Sequence, residues 1–450
     1  KSCAFNTNVQ QFLMDNCPKD VDYNEYKVKD MFGREMYAKD VLMVTTPNSL
    51  KAFKFAYKIG NGTKEEMYNY WKEIVQAEGN SFGVCKADKA SKNPTLADGT
   101  PTRAVSYQIL NSLLASEQEI HDLMKIEIDY IDSIKNDNKA FIKHLKMNAN
   151  NFNSNSFHVQ MFKANTDYQF TQLFKEFKKR QISNYVADIK GGSLKIEGDY
   201  ATVVANPIEM LKKAVNSSYE VSGADATLKG NEIYTTLFGF GQELVLHRNP
   251  HTTSSNSFIG FNTKHEDLVK YMNVTKNIIV INNIESSICT TLSGMDMDSD
   301  AVHVSNNQTL LKVVKRASKY RVIVSAIENV GSVEYKVNNL DMAQADNKLA
   351  LSKTSIGRVV NSGQLAMSVA QHLRNNNHPD FDKVMRFNDI VAKLSEMAID
   401  SAKKTFPISI EDGIAQVERL ISPYVKVDTS LFDWKEASTL TVTVKDREKA

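Results

Sequence analysis

Cysteine is scarce in this 450-residue chain: Cys3, Cys17, Cys85 and Cys289 stand far apart and form no C-x-x-C pair. That spacing argues against a disulfide framework or a zinc ribbon and suits a reducing compartment. Net charge is nearly absent too, with 55 basic against 53 acidic side chains and a formal +2. The balance argues against a histone-like or tail-driven binder, although a local basic groove fits inside a neutral total. No apolar run approaches the roughly 20 residues that a membrane span needs, and there is no fixed-period repeat. The first residue is Lys1, not Met, and K-S-C-A-F-N-T-N-V-Q-Q-F-L lacks the basic, apolar and small segments of a secretory leader. The opening reads as the interior of a longer chain. What is present is 42% hydrophobic side chains, enough to fill two or three domain cores and to exclude disorder over most of the length.

Residues 1–150 read as a mixed, mostly helical region. Val41–Thr46 is strand-like, Ser49–Ala56 has helical spacing, Met67–Ala77 is helical and Phe82–Lys86 is strand-like. The strongest helical stretch is 107–147, with Leu110, Leu113, Leu114, Ile120 and Leu123 three to four residues apart. Asn148–Ser156 is a loop. A connector at 151–183 holds a short helix, Phe170–Gln181, with Leu173, Phe174 and Phe177 inward and Lys178, Lys179 and Arg180 at its end. From 184 to 340 the texture is β: Y-A-T-V-V-A, E-L-V-L-H, N-I-I-V-I-N, A-V-H-V and Y-R-V-I-V-S-A are short and rich in β-branched residues. Residues 341–450 are helical again at Ile356–Arg374, Asp382–Lys404 and Ile410–Ile421, before a strand-like T-L-T-V-T-V. The class is α+β, one β body with largely helical flanks.

The chemistry concentrates in Ser293–Val304, S-G-M-D-M-D-S-D-A-V-H-V. Asp296, Asp298 and Asp300 alternate, so in a strand or a tight loop leading into one they project to the same side. Three adjacent carboxylates repel one another, and a divalent cation offsets that cost. An all-oxygen site suits Mg²⁺, with Mn²⁺ as the alternative. An EF-hand fits poorly, because its sixth and twelfth positions fall on Ala301 and Asn307. A glycosyltransferase D-x-D leaves the third aspartate unexplained. An Asp-rich surface turn and a non-catalytic cation-binding module both remain open.

D-M-D-S-D resembles the D-F-D-G-D signature of the two-barrel RNA polymerases. Ser299 replaces the usual Gly, which the turn accommodates if its backbone angle is ordinary. Upstream, V-L-H-R-N-P-H-T-T resembles their N-R-x-P-T segment. Gly198–Leu211, Ala345–Gln364, Ala398–Lys404, Thr45–Phe55 and Ser106–Leu113 are similar to further segments of the phage-encoded single-chain and RNA-silencing branch.

The resemblance implies a double-psi β-barrel at 184–340 whose three aspartates hold the catalytic metal. It implies Arg248 facing the ribose of an incoming nucleoside triphosphate, with Asn249 and Pro250 beside it. Lys353 and Arg358 are candidates for triphosphate or template. The implied function is RNA synthesis on a DNA template, with an RNA template as the rival, in a host-cell cytoplasm or a virion and without a membrane. The implied partners are template and RNA product, and a first barrel from the same longer chain or a partner chain, because no G-x-K-G loop is found. Lys51, Lys54, Lys86 and Lys89, with Tyr68, Tyr70 and Trp71, can line a nucleic-acid channel, though a solvated face and ordinary core rings are the commoner reading. His303 reads as a strand residue, not a catalyst.

Overall fold

The computed structural model describes residues 3–81, 83–84, 87, 95–96, 98–320, 330–402 and 404–425. Phe82–Lys86, Lys89, the strand-like stretches after Tyr320 and at 439–444, and Lys403 lie mainly or wholly outside them. The chain divides into two units, Lys1–Ala326 and Ile327–Ala450. Among the described residues, no helix is long and apolar enough to cross a membrane.

The first unit is built on a closed barrel of six strands: β1 (Asp199–Ala205), β2 (Glu232–Tyr234), β3 (Gln242–His247), β4 (Ser257–Asn262), β5 (Ile278–Ile281) and β6 (Ala301–Ser305). Around the barrel the order is β6-β1-β5-β2-β4-β3, closing back on β6. β1 runs parallel to β5 and β2 to β4, while the other neighbours are antiparallel. Two crossed parallel pairs in a six-stranded barrel are consistent with a double-psi β-barrel. Both faces of the strands are covered, so most strand positions are apolar, with His247 and His303 among the polar exceptions on the outer faces of β3 and β6. Val203, Leu244, Leu246, Phe258, Ile279, Ile281, Val302 and Val304 fill the interior. Outside, Val245 meets Leu310 and Val314 of helix Gln308–Ala317, and Val280 and Tyr234 meet Ile208, Leu211 and Leu268. Arg316 on that covering helix donates to both carboxylate oxygens of Glu119, at 2.9 and 2.7 Å, and holds its pKa down to about 2. The pair fastens the N-terminal helices to the barrel's coat.

The segments before the barrel depart from expectation in several places. Val41–Thr46 forms no strand and pairs with none among the described residues; the Val41 carbonyl accepts from the Gln10 side chain instead, and Leu42 stands 91% exposed. Ser49–Ala56 winds mainly as a 3₁₀-helix, Lys51–Lys58. The connector helix spans Gln172–Lys190, so Lys178, Lys179 and Arg180 lie in its middle; Phe174 and Phe177 are buried as expected, but Leu173 is exposed. Stretch 107–147 is helical but broken into four helices, with Ser116 and Asp137 capping two of them. The second unit packs helices Asn339–Asn375, Phe381–Asp400 and Ile410–Ile421 around Val359, Val391, Leu394, Ile414 and Val417.

Candidate metal centre

The loop before β6 alternates by design of its side chains. Met295 is buried against the barrel core and Met297 packs beside it, which turns the intervening aspartates outward. The loop is drawn tight by its own carboxylates: Asp300 accepts from the Asp296 N–H at 2.9 Å, and Asp296 accepts from the Asp298 N–H at 3.1 Å. Ser299 sits at φ 118°. The backbone is therefore the glycine-favouring kind, not the ordinary angle expected, and the serine is strained there.

Asp296, Asp298 and Asp300 each offer an oxygen, and these oxygens lie within 4.8 Å of one another. Burial, and then the adjacent carboxylates of Asp298 and Asp300, push the Asp296 pKa up. A cation relieves both causes, so the donor set fits a divalent metal.

Two cations of the chain already meet this cluster. Arg248, one residue beyond β3, places its guanidinium 2.8 Å from Asp300 and donates to the carbonyls of Leu292 and Ser293 at 3.3 and 2.9 Å. Lys51, from the 3₁₀-helix, lies 3.3 Å from Asp298. Its place at the aspartates was not legible, because 247 residues separate the pair and its helix reads as a solvated face. Of the other candidates, Asn249 hydrogen-bonds Tyr200 through its side chain, and the Pro250 carbonyl accepts from the Ser293 hydroxyl at 3.3 Å. Lys54 and Tyr70 are exposed, whereas Tyr68 packs with Phe32, Trp71 and the Arg34 guanidinium. Lys353 and Arg358 lie on the exposed side of helix Asn339–Asn375 in the second unit, where Arg358 pairs with Glu411.

No protein-family model matches this chain, and no curated protein does. Among solved structures the chain is similar to an RNA-dependent RNA polymerase, QDE-1 from Thielavia terrestris, with a TM-score of 0.42 and 12% identity. The match covers 74% of this chain and 38% of that one, so the chain spans well under half of that polymerase.

His303 is a strand residue as expected, but its surroundings were not foreseen. It faces His247 across β6 and β3, and His251 stacks edge-on to His247 at 5.3 Å. All three rings are fully buried. His251 is hydrogen-bonded to Ser112 and Ser257, while the ring nitrogens of His247 and His303 have no hydrogen-bond partner among the described residues. Burial pulls the pKa of His251 and of His303 down to about 4 and that of His247 well below its usual value.

Proposed function

We propose that this chain is the aspartate-bearing part of a Mg²⁺-dependent nucleotidyltransferase that makes RNA from nucleoside triphosphates on a DNA template. One observation carries the reading: three carboxylates converge within 4.8 Å at the entry to a barrel strand, with Arg248 fixed 2.8 Å from one of them. The sequence motifs around Arg248 and the aspartates support it. Asp296, Asp298 and Asp300 would hold Mg²⁺ or Mn²⁺, which supplies charge stabilisation for a triphosphate and acidifies an attacking hydroxyl.

The chain's own groups do the positioning. Arg248, held by two carbonyls as well as Asp300, keeps a planar donor pointed beside the carboxylates, suited to a ribose hydroxyl or a phosphate. Lys51 counters Asp298, and with that carboxylate engaged by a cation its ammonium would be free to meet a phosphate. Asn249 and Pro250 shape the turn that presents Arg248. Lys353 and Arg358 are assigned to triphosphate or template, and a second barrel is assigned the remaining basic residues. The place of action is a cytoplasm or a virion.

The test is incorporation of labelled ribonucleotides on primed DNA and primed RNA templates, by the chain with a second barrel supplied, alongside Asp298→Asn. Cation-dependent extension on DNA that vanishes in the variant is the expected result. Extension on RNA alone transfers the reading to RNA-dependent synthesis. Cation binding with no extension on either template makes the site a non-catalytic metal module and overturns the proposal.

A further inference from the structure

The chain is nearly neutral, yet between residues 135 and 182 it holds nine lysines and arginines against three acids. This stretch belongs to a helical module with its own core, Ile134, Phe141, Leu145, Val159, Phe174 and Phe177. Between helices Lys125–Asn136 and Gln172–Lys190 lies a cavity of about 430 Å³, whose lining includes Lys135, Lys175, Lys178 and Lys179 and no carboxylate. Part of it is already ordered for polar contact: the Lys178 ammonium donates to Asn138 at 2.6 Å, and Asn138 donates to Gln169 at 2.8 Å. Lys135, Lys175 and Lys179 are exposed and make no ion pair among the described residues. Of the nearby acids, Glu176 accepts from Gln172, and Asp137 caps the following helix.

Four ammonium groups around one hollow repel one another, and a concave low-dielectric wall strengthens their field. A single small anion would not need the apolar part of the lining, Phe170, Phe174 and Ile182. Phe170 forms part of it, is 66% exposed, and makes no ring or cation-ring contact among the described residues. Phe152 and Phe157 are exposed in the same module. Lysines for phosphates with an unpartnered ring for a base are the two components of single-strand recognition.

We infer that this cavity binds a single-stranded nucleic acid, with Lys135, Lys175 and Lys179 on the phosphates and Phe170 under a base. The inference deepens the function proposed above by placing a strand contact apart from the aspartates. Its test is fluorescence anisotropy of a labelled twelve-nucleotide single strand against the full chain in EDTA, so the signal is independent of any cation site. A failure here leaves the ribonucleotide-incorporation test of the proposed function standing, and the reverse also holds.

Lys175→Glu with Lys179→Glu is expected to weaken binding at least tenfold. It should also reduce the slope of log affinity against log salt by one or more, since each lost phosphate contact contributes about 0.7. Phe170→Ala is expected to weaken binding about fivefold or more, with the salt slope unchanged. Lys175→Gln with Lys179→Gln, verified by thermal melting, covers the case in which charge reversal disturbs folding. Unchanged affinity in the lysine variants overturns the inference. So does a silent Phe170→Ala combined with equal competition by inorganic polyphosphate, because the hollow is then a general anion site.

Discussion

His247 and Arg248 are consecutive residues, yet they enter opposite worlds. His247 ends β3 inside a sealed layer, across from His303, with its ring nitrogens unpaired among the described residues. Arg248 leaves the strand and meets Asp300, and every polar hydrogen bond assigned to it ends on an oxygen. The partner segment divides the same way, with Asp300 at the strand's entry and His303 in the sealed layer beside His247. Charge is kept where solvent and counter-charges share its cost, and where neither is present the chain uses a side chain that can stay neutral. The first cluster is poised to accept a cation. The second is poised to fail when it is forced to take a proton.

Acid should expose that difference most strongly. Above pH 6.5 the buried imidazoles are neutral in both folded and unfolded chains. Below it the unfolded chain binds protons first, because folded His251 and His303 titrate only at about 4. Stability is therefore lost as pH falls from 6.5 towards 4. Melting temperature measured across that window should drop steeply, and His247→Leu with His303→Leu should flatten the slope without touching cation binding.

Arg248→Met comes next in size. It removes charge-assisted hydrogen bonds from a largely buried guanidinium and leaves three carboxylates without their nearest counter-charge. A loss of roughly 2 kcal/mol in denaturant unfolding is expected. Millimolar Mg²⁺ should restore more stability to this variant than it adds to the parent. Ser299→Gly should gain about 1 kcal/mol in the same assay by relieving the positive φ. The smallest effect belongs to Lys51→Ala. Its ion pair with Asp298 is half-exposed, so removing it should tighten cation binding by no more than about fivefold, measured by calorimetry.

Much of this division was legible in the sequence. The alternation of Met295 and Met297 with the aspartates separates an anchoring face from a chemical one, and four barrel strands are β-branched runs. β2 escaped because three residues carry little pattern, and β4 because Gly260 interrupts a run with polar ends; a Cβ at Gly260 would come within 2.7 Å of the Ile233 side chain. The connector helix runs on past Gln181 because nothing before Gly191 ends it. Lys51 and the histidine layer depend on contacts between distant segments, which no local period encodes. At Ser299 the sequence pointed the wrong way, since the residue suggests an ordinary angle and the turn imposes a glycine's.

The central claim is that the three aspartates form a divalent-cation site, and Mn²⁺ titration by calorimetry near neutral pH addresses it without requiring catalysis. Asp298→Asn is compared with the parent chain. Saturable binding in the parent, weakened a hundredfold or so in the variant, is the expected result, since even residues that merely support a metal's ligands cost about 10–100-fold. Equal binding in both proteins, or none in the parent at millimolar Mn²⁺, would contradict the account.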